Sequence, residues 1–316
     1  MSYRYASLSR RNIVVTGAGR GFGRLMSLAL VQAGANVLGT TGRSPEELQR
    51  TAQLASGAAV GDAAEVFSVA AGVAARAPGG KAGRFVGLRA DVSDYAQCEQ
   101  TVAHACSEFG RVDALINNAA RGAKEANNDF FVAKPKFWEA PPDAWSLMVK
   151  TNLIGAFFMA RAVMPQLLAN NFGRIINIST SLPTMVMQGL AAYGPAKAGL
   201  EVASILWARD LQGTKITANV LLPGGPADTA LVPGGTVGTR AQAGFRQGKG
   251  ARGDEGRVGG ILPAQIMVAP TLWLCADESQ EFNGRRFVAK DWDPDLDPTA
   301  AAAGCVQAQS SSPRIM

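Results

Sequence analysis

Histidine is almost missing from this chain: His104 is the only one in 316 residues. Four cysteines (Cys98, Cys106, Cys275, Cys305) stand without a CxxC pair, so the usual zinc ligand sets cannot be assembled and no metal site is expected. The net charge is +6, yet Lys and Arg are scattered and no basic run is interleaved with aromatics. That pattern argues against a nucleic-acid partner and for a small anionic cofactor. The N-terminal MSYRYASLSRRN lacks the apolar core of a leader peptide. The most apolar long stretch, 153–168, is interrupted by Arg161 and Pro165, so no membrane span is expected. Together these absences suggest a soluble cytoplasmic protein with reduced thiols. No internal repeat is visible.

What is present reads as a globular α/β chain. Apolar residues make up 47% and charged residues 18%, enough to bury a sizeable core. Residues 12–16 (NIVVT) form a β-branched run that ends in the glycine-rich TGAGRGFG, followed by the helical pattern LMSLALVQAGA. Strand, glycine turn and helix start in that order are the context of a dinucleotide-binding turn. Gly17 can make the tight turn, Gly21 lets the backbone approach a pyrophosphate, and Gly23 permits close helix–strand packing. The anion would sit on the free amides of the helix N-terminus.

A second strand, NVLGTT (36–41), follows Gly34, as a βαβ unit demands. Readers of NAD usually place a carboxylate on the ribose about 20 residues past the glycines. Here that neighbourhood reads TTGRS, without Asp or Glu between Asn36 and Ser44. Arg43, with Arg20 inside the glycine loop, can instead clamp a 2′-phosphate. NADP(H) is therefore the preferred cofactor, with NAD(H) possible.

Further strands are expected at 85–89, 112–116, 173–178, 217–222 and 285–289, separated by helical segments. Ser44 and Ser93 are expected to cap helices, the second of them spanning 94–109. Asp91, at the end of the third strand, suits either an adenine amine or a helix-start role. A long helix from Pro142 to Asn170 carries Asn152 on an otherwise apolar face, where a buried amide needs partners. Three stretches are longer than connections require: 57–83 (with an extra helix near 62–76), 121–144 and 225–262. Phe130, Phe131, Phe137 and Trp138 in the second suit either a pocket wall, along with Met185 and Met187, or packing of the insertion on its own domain. The low-complexity tail 291–316 is expected to end in a mobile part.

The remaining signal is Tyr193-Gly-Pro-Ala-Lys197, downstream of IINISTS at 175–181. Four residues apart on a helix, the two side chains share a face. A phenol has an ordinary pKa of about 10, too high for acid–base work near neutrality, and a neighbouring ammonium favours its phenolate.

With these residues assembled, the chain resembles the classical short-chain dehydrogenase/reductase family. TGAGRGFG (16–23), Asp91-Val92, NNAA (117–120), Asn152 in TNLIGAF, INIS (176–179), YGPAK (193–197) and PGGPADT (223–229) follow the family's motifs in order over roughly residues 10–290. The resemblance implies an α/β fold, a Rossmann-like doubly wound sheet of seven parallel strands, in a single domain of residues 1–290. It implies an NAD(P)(H)-dependent oxidoreductase that moves a hydride between nicotinamide and a carbonyl or secondary-alcohol substrate, usually as a homotetramer or homodimer. Tyr193 would be the general acid or base, Lys197 would lower its pKa and hold the ribose, and Asn152 would hold a relay water. Phe22, Val92, Asn118 and Ala119 would join the turn in lining the cofactor, with Pro223, Gly224 and Thr229 over the nicotinamide carboxamide. The family's catalytic serine position is Thr180 here, flanked by Ser181 as the next candidate. Two readings compete with this one: a dinucleotide sensor without chemistry, and an epimerase or dehydratase that retains its cofactor.

Overall fold

Seven short segments, most of them runs of Ile, Val and Leu, pair as strands: β1 (Asn12–Val15), β2 (Asn36–Thr41), β3 (Phe85–Arg89), β4 (Ala114–Asn117), β5 (Gly173–Ile178), β6 (Ile216–Leu222) and β7 (Arg286–Val288). The computed structural model describes residues 5–57, 82–125, 134–227, 229 and 262–307. All neighbours run parallel, in the spatial order β3-β2-β1-β4-β5-β6-β7. This is the Rossmann-like, doubly wound sheet that the motif order implied. Strand ends differ from the sequence limits by one or two residues; β4, for example, starts at Ala114 and runs through Asn117.

Parallel strands need crossovers, and the helices of those crossovers cover both faces. Side-chain alternation divides the core accordingly. Ile13, Val15, Ile116 and Ile176 face one side, against α1 (Gly21–Gln32), α2 (Pro45–Ala55) and α8 (Val268–Cys275). Val14, Leu38, Leu115 and Ile175 face the other, against α3 (Tyr95–Phe109), α5 (Gly155–Asn170) and α7 (Tyr193–Asp210).

Local chemistry sets the helix ends. Asp94, not Ser93, caps α3, accepting from the Gln97 amide; Ser93 is held by the Asp91 carboxylate instead. Ser44 stands at the cap position of α2, yet its hydroxyl bonds the Glu46 carboxylate at 2.8 Å. The long central helix is not uniform. Between α4 (Pro142–Val149) and α5, Lys150–Ile154 form a π-turn in which the Gly155 amide reaches Lys150 O. Such widened turns favour functional positions because they displace one residue from the regular ladder. Taken together, 142–170 is 29 residues long and holds an 18-residue window of mean hydropathy 1.3, long and apolar enough to cross a membrane by length and composition. Its buried residues Ala156, Met159, Val163 and Leu167 pack beneath the sheet, as in a core helix.

The expected helix near 62–76, most of the 225–262 segment, Phe130, Phe131 and the last part of the tail lie outside the described residues. The described part of the tail belongs to the core. Ala301, Ala302 and Cys305 of α9 (Pro298–Cys305) are buried against α8, and Val306 pairs antiparallel with Phe287 at the sheet edge.

Candidate functional site

Strand order reverses between β1 and β4, and a cleft of about 270 Å³ opens there, beyond the carboxyl ends of the strands. Its floor is the glycine turn. Gly17 has φ +69°, a left-handed conformation that disfavours side chains, and a Cβ there would lie 2.9 Å from Ala119 Cα. A Cβ on Gly23 would overlap the Gly17 carbonyl oxygen. Gly23 therefore packs under the turn, rather than against a strand, and does not face the cleft. Asn118 ties the second segment to the first: its amide donates to Thr16 O (2.9 Å) and Gly17 O (3.1 Å), while Thr16 Oγ1 accepts from the Asn118 and Ala119 amides.

Arg20, at the N-cap of α1, makes no side-chain cap, and no acidic residue lies in the first turn. The leading amides and the helix dipole are thus suited to a phosphate. Thr229 stands over Gly21 at this end: its methyl would be 3.6 Å from a Cβ built there. Phe22, Val92 and Ala119 complete the lining nearby. Asp91 also borders the cleft, with Oδ1 accepting from both the Ser93 amide and hydroxyl, a helix-start role.

Cations cluster on the rim beyond β2. Arg20 pairs with Glu47 at 3.4 Å, and Arg43 with Glu125 at 2.6 Å; both arginine side chains are more than 40% exposed. Glu125 also accepts from Arg121 at 3.4 Å. Lys124 borders the same rim, and burial followed by the charges of Arg20 and Arg43 lowers its pKa. The rim thus sets four cations, Arg20, Arg43, Arg121 and Lys124, against the carboxylates of Glu47 and Glu125.

The other end of the cleft is dry. Tyr193 opens α7 with its phenol buried, and the Thr180 hydroxyl lies on the side of the cleft where it favours the phenolate. Lys197, one turn on and also buried, donates to Ile178 O at 2.6 Å and stands 6.0 Å from the Tyr193 ring centre. Burial pushes the Tyr193 pKa up to about 12, opposed by the Thr180 hydroxyl. Burial also brings Lys197 down to about 8, opposed by the Glu201 carboxylate. This corrects one expectation: desolvation of the phenol dominates over any influence of the lysine.

Three further residues singled out in the sequence do not face the cleft. Ser181 Oγ is engaged with Thr184 Oγ1 at 2.9 Å, so Thr180 is the hydroxyl that meets the tyrosine. Asn152, in the π-turn, is tied to the backbone of Arg121: Oδ1 accepts from its amide (2.7 Å) and Nδ2 donates to its carbonyl (2.9 Å). Gly224 turns toward Val288 and Lys290, leaving Pro223 and Gly225 at the cleft. Of the residues expected in a pocket wall, Met187 lines the cleft, joined by Leu190; Phe137 and Trp138 are exposed and stack edge-on at 5.1 Å, and Met185 is buried away from the lining. Sequence reasoning missed Glu125, Lys124 and Glu201; only Glu201 had a local signal, the four-residue step from Lys197.

Comparison with known proteins agrees with this geometry. The short chain dehydrogenase family model matches residues 11–75 and 68–234. A 3-oxoacyl-acyl-carrier-protein reductase of Salmonella typhimurium is 32% identical over 272 residues, covering 86% of this chain and 92% of that protein. An acetoacetyl-CoA reductase of Shinella zoogloeoides is 31% identical over 68% of this chain and 73% of its own length. Among solved structures, a protein described as a short-chain alcohol dehydrogenase from Sinorhizobium meliloti superposes with a TM-score of 0.67 at 25% identity, covering 88% and 94% of the two chains. A short chain dehydrogenase from Burkholderia cenocepacia, in complex with NADP, shares the fold with a TM-score of 0.65 at 22% identity, covering 89% and 96%. The chain belongs to the short-chain dehydrogenase family and is an NAD(P)(H)-dependent oxidoreductase acting between carbonyl and alcohol groups.

Proposed function

We propose that the chain reduces a carbonyl compound with NADPH, with Tyr193 as the proton donor. The observation that carries this reading is the buried set of Tyr193, Thr180 and Lys197 at one end of the cleft, with the lysine nitrogen 6.0 Å from the tyrosine ring centre. With its pKa pushed up to about 12 by burial, the phenol carries the proton to be given, and the Thr180 hydroxyl and the positive charge of Lys197 act against that rise, toward the range where transfer is efficient. Thr180 Oγ1 holds the substrate oxygen beside the phenol, and the charge that develops on that oxygen is stabilised by both hydroxyls. Lys197, near its midpoint at pH 8, supplies positive charge beneath them and reaches the nicotinamide ribose. Asn152 acts through the backbone of Arg121, keeping the segment after β4 against the cleft, and its π-turn is the place for a relay water.

The residues fit a dinucleotide phosphate: uncapped amides at α1, the cationic rim, and no carboxylate between Asn36 and Ser44. When bound, the cofactor supplies the hydride from its nicotinamide C4. Arg43 and Arg20 favour NADPH over NADH through the 2′-phosphate, with Gly17, Gly21 and the Asn118–Ala119 segment forming the floor under the dinucleotide. Two relatives that act on 3-oxoacyl groups, the Salmonella and Shinella reductases, make acetoacetyl-CoA the first compound to assay. Exposed apolar residues on α5 and α7 (Phe157, Val202, Ile205, Leu206) support a homo-oligomer formed through these helices. The unpaired thiols suit a cytoplasmic setting.

Tyr193→Phe tests the reading. NADPH consumption with acetoacetyl-CoA, or with the best compound from a carbonyl panel, should fall by roughly 1,000-fold or more. NADPH affinity, read from nucleotide fluorescence, should stay within about twofold because the phenol hydroxyl contributes little to ground-state binding. Retention of most of the turnover would remove Tyr193 as the acid.

A further inference from the structure

β5 ends at Ile178, and the residues that follow leave the strand ladder exactly where the site needs a fixed hydroxyl. The Ser179 amide still reaches Leu221 O of β6 at 2.9 Å. The Thr180 carbonyl is taken instead by a side chain from β7, 106 residues away: Arg286 Nη2 donates to it at 3.0 Å. The same guanidinium donates through Nε to Glu201 Oε2 at 2.9 Å, and Glu201 Oε1 accepts from the Ser179 hydroxyl at 2.6 Å. Glu201 stands one turn beyond Lys197 on α7, so its charge also favours the ammonium. Behind the pair, Arg286 Nη1 donates to the Gln307 side chain, and the Gln307 amide donates to Arg286 O at 3.0 Å.

We propose that Glu201 and Arg286 are positioning residues that clamp Ser179–Thr180 and thereby aim the Thr180 hydroxyl at Tyr193. The geometry separates this from an ordinary surface ion pair. The two side chains are only 20% and 22% exposed, and each uses one donor or acceptor on its partner and another on the segment that carries the hydroxyl. A guanidinium is suited to this because its planar fork serves two acceptors in fixed directions. Gln307 steadies the fork from outside, which gives the end of the described chain a part in holding the site. Displacements of about 1 Å at a reacting group cost up to about 100-fold in rate, so a clamp at this distance has kinetic weight.

The proposal rests on the reading of Tyr193 and Thr180 as the acid and the substrate-holding hydroxyl. The test compares Glu201→Gln, Arg286→Met and Arg286→Lys with Thr180→Ala, alone and combined, in NADPH-dependent reduction of acetoacetyl-CoA or the best panel carbonyl. Glu201→Gln and Arg286→Met should each lower kcat by roughly 10- to 100-fold while the NADPH dissociation constant stays within about twofold. Arg286→Lys should recover part of the loss. In a Thr180→Ala background, Arg286→Met, or Arg286→Lys if that variant does not fold, should cause less than about threefold further loss, because Arg286 acts only through that hydroxyl. Multiplicative losses in the combined variant, or wild-type kcat in Glu201→Gln and Arg286→Lys, would overturn the clamp. Should Arg286→Met fail to fold, by thermal melt, the other two variants decide the matter. Activity persisting in Tyr193→Phe would sink the underlying assignment instead, and is read separately.

Discussion

The two ends of the cleft solve different problems with opposite physics. The rim beyond β2 is wet, and its arginines are more than 40% exposed and already paired with carboxylates. Charges there act in a high dielectric, are screened by salt, and contribute selectivity more than affinity. The Tyr193 end is dry: burial moves the phenol up to about 12 and the lysine down to about 8. In that setting each hydrogen bond and each proton counts for more, because water cannot replace a lost partner. One end can tolerate substitution by degrees, and the other cannot.

The largest effect that would break this contrast is at the dry end. Lys197→Met should lower kcat for carbonyl reduction by about 100-fold or more, without unfolding the protein. In the unaltered protein the sign of the pH profile follows from the depressed lysine. Lys197 is a cation below about pH 8 and neutral above it, while the Tyr193 proton is retained to about 12. The reduction rate should therefore fall as pH rises through 8, and a rate that climbs across that range would contradict the assigned role.

Next in size is the joint between the two ends. Asn152→Ala leaves the Arg121 amide and carbonyl without their partners at 2.7 and 2.9 Å. Unsatisfied buried groups cost about 1–3 kcal/mol. Thermal or urea unfolding should show that loss, and kcat should drop with it. Stability equal to wild type would mean that water replaces the amide.

The rim should respond more mildly. Arg43→Ala should weaken NADPH by roughly 10-fold and NADH by less than twofold, in line with about 1.5 kcal/mol for one exposed charge-assisted contact. Equal losses for both cofactors would remove the case for a 2′-phosphate clamp. The smallest effect sharpens the contrast without mutation. Raising ionic strength from about 0.05 to 0.5 M should weaken NADPH binding several-fold while leaving kcat at saturating cofactor almost unchanged.

Much of this cleft was readable in one dimension. The glycine turn, the strand before it and the helix after it are contiguous, and the missing carboxylate after β2 is a local fact. Tyr193 and Lys197 share a face because helix geometry places residues four apart together. The family resemblance put Thr180 ahead of Ser181, but no local feature of the sequence separates the two. Both follow β5, and which one meets the phenol depends on the path of the chain into α6 (Leu182–Met185), where Ser181 engages Thr184. Two candidates for the aromatic wall lie away from the cleft for a related reason. Phe137 and Trp138 are apolar in composition, but their 3-10 turn points them at each other and at solvent.

Periodicity and turn chemistry were enough to place the strands, the phosphate turn and the tyrosine–lysine step, since each depends on a few neighbouring residues of chain, while the order of the sheet came only with the family resemblance. The packed fold was needed for the rest. Glu125 bridging Arg43 and Arg121, Asn152 held by Arg121, and Arg286 reaching Thr180 across 106 residues all depend on crossovers that bring distant strand ends to one edge. Burial, which sets the proton affinities of Tyr193 and Lys197, is likewise a property of that packing and not of their spacing.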